Sequence, residues 1–187
     1  MAVKIAHSSI DENGRATGGV AGDQNGREVR IQDWYNNGWG YVIRFKDKKM
    51  ADKFAKAMED AANNNKIGYD QNGRNTVLTE AEKVGWDLSK ITTPCESDCS
   101  SLATVCTISA GVPKSAVFNG NCCTTRTLRS KLQATGLVDV FSDAAHTGSD
   151  KNALRGDIYL KEGNHVVVCI TDGNYKNQSC RSHETGN

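Results

Sequence analysis

The apolar residues of this 187-residue chain change their spacing once, and that change restricts the fold more than any other feature of the sequence. In segment 46–63, Met50, Phe54, Met58 and Ala61 recur at helical spacing among lysines and acids, the pattern of an amphipathic helix. Asn63-Asn64-Asn65 ends it. Segment 76–84 repeats the pattern with Val77, Leu78, Ala81 and Val84 turned inward. So does 100–109, with Leu102, Ala103, Val105 and Cys106 on the buried side and Gly111-Val112-Pro113 as the stop. Leu128 and Leu132 mark a shorter helix over 125–134. Beyond it, 138–141, 156–160 and 165–170 are β-branched or aromatic runs bounded by turns such as Glu162-Gly163-Asn164 and Asp172-Gly173.

The first 45 residues differ from both patterns. Gly18-Gly19, Asn25-Gly26 and Asn36-Asn37-Gly38 are turn signals around short strands at 29–31 and 40–45. Segment 87–97 reads as a loop broken by Pro94, and 179–187 is polar. Helices followed by a strand run predict an α+β class in one domain over 1–187. Within it, 1–90 reads as a helical and loop part and 91–180 as the catalytic core.

Charge and composition exclude several partners. With 23 basic and 22 acidic residues the formal charge is +1, so no field steers the chain to nucleic acid or an anionic membrane. No apolar run reaches the length of a membrane span, and no signal peptide is recognisable, which points to synthesis in the cytoplasm. Seven cysteines is an odd count, so at least one thiol stays unpaired if the rest form disulfides. Cys95, Cys122, Cys123 and Cys180 are the candidates for a disulfide; Cys95 and Cys99, four apart, and the adjacent Cys122 and Cys123 raise a structural zinc, though no paired Cys-x-x-Cys set is present.

One cysteine sits where thiol chemistry is favoured. Cys99 stands at the junction of the Pro94 loop and the 100–109 helix, where unpaired N–H groups and the helix dipole would lower its pKa. Ser97 and Asp98 before it are good N-cap types. His165 opens the most apolar strand, before Val166-Val167-Val168, so its ring can face a cleft while the strand holds it. If that strand packs on the Cys99 helix, thiol and imidazole meet. Taken singly, a Cys and a His more often mean a buried thiol and a surface imidazole.

The surrounding residues resemble a known family. Asp98-Cys99-Ser100-Ser101-Leu102 is similar to the Asp-Cys-Ser-Gly-hydrophobe motif of NlpC-type cysteine peptidases. Gly156-Asp157-Ile158-Tyr159-Leu160 followed by His165-Val166-Val167-Val168 resembles that family's second block, in the family's order. The N-terminal half, with Gly22-Asp23-Gln24 and Trp34-Tyr35, more loosely resembles what precedes such domains in prophage endolysins of Gram-positive hosts. The resemblance implies a papain-like fold with helices packed on an antiparallel sheet, and Cys99 as nucleophile with His165 as base. It implies a peptidoglycan substrate, no cofactor, no nucleic acid and no membrane insertion. A C-terminal wall-targeting domain would be separate or missing.

The third group in that family is a polar residue on the strand after the histidine, which points to Asn177, with Asp172 and Asn174 competing as turn residues. Asp98, Ser100 and an upstream tyrosine, here Tyr69, match positions that hold the free amine of a stem peptide, though Asp98 and Ser100 also suit helix capping. Ser101 replaces the motif glycine, and 119–136 looks inserted between the two blocks.

Other side chains read more plainly. His7 and His146 look like solvated loop residues, and Cys106 and Cys169 like small core residues. Trp34, Trp39 and Trp86 fill a core more readily than they stack on sugars. The rival functions are an amidase cutting between sugar and peptide, a silent wall-binding module, and a glycosidase built on Glu28 and Asp33, whose spacing does not support it.

Overall fold

The computed structural model describes residues 2–173. In chain order the strands are β1 (Lys4–Ser8), β2 (Val29–Asp33), β3 (Tyr41–Phe45), β4 (Ile67–Tyr69), β5 (Cys95–Ser97), β6 (Val138–Phe141), β7 (Ile158–Lys161) and β8 (His165–Cys169). The helices are α1 (Lys48–Ala62), α2 (Thr76–Lys83), α3 (Cys99–Ser109), α4 (Lys114–Val117), α5 (Leu128–Ala134) and α6 (Ala144–Thr147).

Six strands form one antiparallel sheet in the order β2-β1-β8-β7-β3-β6, and β4 pairs with β5 in parallel. The α+β class read from the sequence is therefore the observed one. The sheet takes β1, β2 and β3 from 1–90 and β6, β7 and β8 from 91–180, and β1 lies between β2 and β8. Three strands correct the sequence reading: β1 and β4 had no assignment, and β5 forms within the expected 87–97 loop, directly after Pro94.

Both faces of the sheet are covered, as the period-2 geometry of strands allows. Along β8, Val166 and Val168 enter the core shared with the helices, while Val167 and Cys169 enter a second core with Val3, Ile5, Trp39 and Tyr159. On the helical side, Ala51, Phe54, Ala55, Met58 and Ala61 of α1 are buried, and its N-cap Asp47 accepts from Lys49 N. Such a cap contributes roughly 1 kcal/mol. The α3 helix is buried from Ser100 to Ile108 on every side, so it is central rather than amphipathic.

A buried ion pair ties β3 to the turn before β7. Arg44 donates to both Asp157 oxygens, at 2.9 and 2.8 Å, and Asp157 is fully buried. The cysteines Cys95, Cys99, Cys106, Cys122, Cys123 and Cys169 are all free thiols, while Cys180 lies outside the described residues. Cys106 and Cys169 are core residues, as their spacing predicts, and Trp34, Trp39 and Trp86 all pack against one of the two cores. No described helix is long and apolar enough to cross a membrane.

Candidate active site

Cys99 is the first residue of α3, and Asp98 is the N-cap. One Asp98 oxygen accepts from Ser101 N at 2.8 Å, and Ser101 Oγ accepts from Asp98 N at 2.9 Å, a reciprocal capping box. The serine that departs from the glycine of the resembled motif thus closes the helix end at Cys99. Behind it, Ser97 Oγ shares a hydrogen bond with Ser8 Oγ at 2.9 Å and donates to Gly68 O. This locks the end of β1 to β5 immediately before Cys99.

The thiol is shielded. Burial pushes the Cys99 pKa up to about 12, the Asp98 carboxylate adds to the rise, and the Val166 and Ser100 N–H groups with Arg74 partly offset it. The sequence suggested a lowered pKa at a helix N-terminus; desolvation outweighs that effect here. The Val166 contact places the sulfur against the start of β8, one residue from His165. No direct thiol–imidazole hydrogen bond forms in the resting side-chain positions among the described residues, a looseness common in sites without substrate.

His165 has a partner the sequence did not indicate. Its Nε2 lies 2.7 Å from Nδ1 of His7, and Nε2 of His7 lies 2.8 Å from Oε1 of Gln32. His7 is 3% exposed, which corrects the reading of a solvated loop residue. Antiparallel pairing explains the meeting: β1 runs beside β8 on one side and β2 on the other. The rings of His7 and His165 stand edge to face at 5.0 Å, and Trp39 stacks on His165 at 6.3 Å.

Hydrogen-bond logic assigns the tautomers along this row. The Gln32 carbonyl oxygen only accepts, so His7 carries its proton on Nε2 and offers a lone pair at Nδ1. His165 must then donate from Nε2, which leaves its Nδ1 as the basic nitrogen. Burial lowers the pKa of both rings, His165 to about 4 and His7 to about 3. The Asp98 charge partly opposes this for His165, whereas the adjacent His165 lowers His7 further. Both rings are neutral at physiological pH.

The expected amine-binding residues are held otherwise. Arg74, absent from the sequence reading, donates from Nε to Asp98 at 2.7 Å and from Nη2 to Ser100 Oγ at 3.0 Å. Its remaining bonds go to Asn121 Oδ1, Cys122 O and Cys123 O. One guanidinium thereby pins the 121–123 segment to the helix end that carries Cys99. Tyr69 stands near Cys99 and Asp98, its hydroxyl accepts from Gln71, and burial raises its pKa to about 12. Tyr35 is also close enough to feel a Cys99 charge.

Asn177 lies outside the described residues, as does Asn174. Asp172 accepts from Arg155 N at 2.7 Å. His146 is distant in role: it pairs with Asp143 and stacks on Phe141 at 4.0 Å. Glu28 is fully buried with its oxygens bonded to Gln24 N and Tyr69 N, while Asp33 is exposed and pairs with Lys4.

Comparison with known proteins gives one match. No curated protein and no solved structure matches the chain. A sequence model of an endolysin-like domain matches residues 5–176, a span that takes in β1 with His7, the Cys99 helix and β8 with His165. With the match spanning nearly the whole chain, this protein belongs to the endolysin-like domain family.

Proposed function

We propose that the protein is a peptidoglycan hydrolase that cuts an amide bond of the stem peptide or crossbridge through a Cys99 thiolate. The observation that carries this reading is the Gln32–His7–His165 row, which leaves a lone pair on His165 Nδ1, on the strand whose next residue, Val166, offers its N–H to the Cys99 sulfur. Membership of an endolysin-like family supports a cell-wall substrate.

The reaction is acyl transfer. His165 Nδ1 takes the Cys99 proton as sulfur attacks the amide carbonyl. Both groups start neutral, so proton transfer accompanies attack rather than preceding it. The oxyanion is met by the Cys99 N–H, which as the first helical donor has no intrahelical acceptor. The C–N bond breaks as His165 returns the proton to the leaving amine. Water then gives a proton to His165 and attacks the thioester, releasing the acid and restoring the thiol. His7 and Gln32 are positioning residues that fix the base's tautomer. No step requires a cofactor.

Substrate recognition differs from what the resemblance implied. Asp98 and Ser100 are committed to Arg74, so a free stem-peptide amine would have to displace that contact. An internal or crosslinked peptide fits this arrangement better than a free N-terminus.

Digestion of purified peptidoglycan, with mass analysis of the fragments, tests the reading. Wild type should release peptides whose masses name the bond, and Cys99→Ala should release none. Equal release by both would overturn the thiolate mechanism.

A further inference from the structure

A cation beside the base row has no anion to meet. Nε of Arg30 is buried and lacks a hydrogen-bond partner, and none of the ion pairs among the described residues involves its guanidinium. Arg44, Arg74, Arg129 and Arg155 each meet a carboxylate. Of the described arginines that do not, Arg15, Arg27 and Arg126 are exposed, whereas Arg30 is half-buried. A guanidinium stays charged at any physiological pH and only donates, so a buried N–H on it calls for an acceptor.

The sheet register places this donor. Arg30 stands directly opposite His7 in the β1–β2 ladder, and residues so paired send their side chains to the same face. Gln32, two residues along β2, shares that face and accepts from His7. Arg30 therefore flanks the Gln32–His7–His165 row. It does so at the end of the ladder nearest Cys99. The next pair is Ser8 with Val29, and Ser8 Oγ holds the Oγ of Ser97, two residues before the thiol, at 2.9 Å.

Tyr35 closes in from the β2–β3 loop, half-buried, with its ring 6.3 Å from that of His7. Burial raises its pKa, the Arg30 charge opposes the rise and a Cys99 charge adds to it, so one hydroxyl lies within electrostatic reach of both groups.

We infer that Arg30 binds a carboxylate of the wall peptide beside the scissile amide, and so selects acidic over amidated substrates. This rests on the proposed hydrolysis of a wall peptide. Nε and a neighbouring Nη present two parallel N–H groups, the fork that matches both oxygens of a carboxylate. Stem peptides carry such a group in two places. A residue linked through its side-chain carboxyl keeps its α-carboxylate free within the chain, and the last residue carries one at the chain end. With Asp98 and Ser100 taken up by Arg74, the substrate is anchored through an anion rather than through a free amine.

The test uses synthetic crosslinked stem peptides containing γ-linked D-glutamate, with the internal and the terminal carboxylate each either free or converted to carboxamide. Cleavage is measured with the full chain, and binding by calorimetry with Cys99→Ala. Wild type should show kcat/KM at least about tenfold higher for the free acid at the position Arg30 reads, chiefly through KM, and the position names the source of the carboxylate. Arg30→Gln should fall about tenfold or more on the acid and stay level on the carboxamide. Arg30→Lys, which keeps the charge without the fork, should retain part of the preference. Wild type indifferent to both amidations would overturn the inference, as would an Arg30→Gln protein that keeps the preference.

Binding separates this inference from the hydrolysis it rests on. Acid-selective binding by Cys99→Ala that Arg30→Gln abolishes, with no cleavage by wild type, would sink the hydrolysis and leave Arg30 as the anion site. Cleavage without selectivity would do the reverse. If Arg30→Gln fails to fold, Arg30→Lys and the wild-type contrast between acid and carboxamide still decide the matter.

Discussion

At the residue scale, the base we propose is a row of three side chains, Gln32, His7 and His165, rather than a single histidine. Replacing His165 with Ala should lower kcat by roughly 10³-fold, within the usual span for a lost general base. His7→Ala should lower kcat by about 10–100-fold with little change in KM, because it removes orientation rather than substrate contact. His7→Gln, whose amide oxygen can still accept from His165 Nε2, should recover part of the loss, which a purely structural role for His7 would not produce. The pH profile carries a further signature. A base works only when neutral, and burial lowers the His165 pKa to about 4. The acid limb of kcat/KM should therefore fall near pH 4, where an unperturbed imidazole would already be protonated below about 6.5. A limb centred near 6.5 would mean the ring is solvated.

At the scale of elements, Arg74 joins pieces that are far apart in sequence. Its carboxylate partner Asp98 is the N-cap of α3, and its carbonyl partners lie in the insertion between α4 and α5. Arg74→Ala leaves the Asp98 charge poorly compensated and the insertion untied. It should cost about 3 kcal/mol or more, read as a Tm drop of roughly 10 °C in thermal unfolding. The sequence revealed α1 and α3 within a residue or two because their apolar spacing and stop signals are local. It singled out Cys99 and His165 as candidates because each sits at an element boundary. It did not reveal β1, β4 or β5, short strands whose pairing partners are remote in sequence. For the same reason His7 looked like a loop residue: nothing near it in the chain shows that β8 lies alongside.

At the scale of the molecule, the first strand is an internal strand of the main sheet, and the site is assembled from both ends of the described chain. Removing residues 1–8 would expose an edge of β8, leave β2 unpaired and take away His7. Circular dichroism of that truncation should show loss of the cooperative native transition, where a dispensable N-terminal arm would leave Tm unchanged. Strands from both 1–90 and 91–180 contribute to the one six-stranded sheet. The most direct test of the thiolate mechanism is acid-quenched intact-mass analysis of the protein caught turning over wall peptides, followed by peptide mapping. A thioester adduct on the Cys99-bearing peptide, accumulating in wild type and absent from Cys99→Ala, is the predicted result. Wall cleavage by Cys99→Ala at the wild-type rate, with no adduct in either protein, would contradict it.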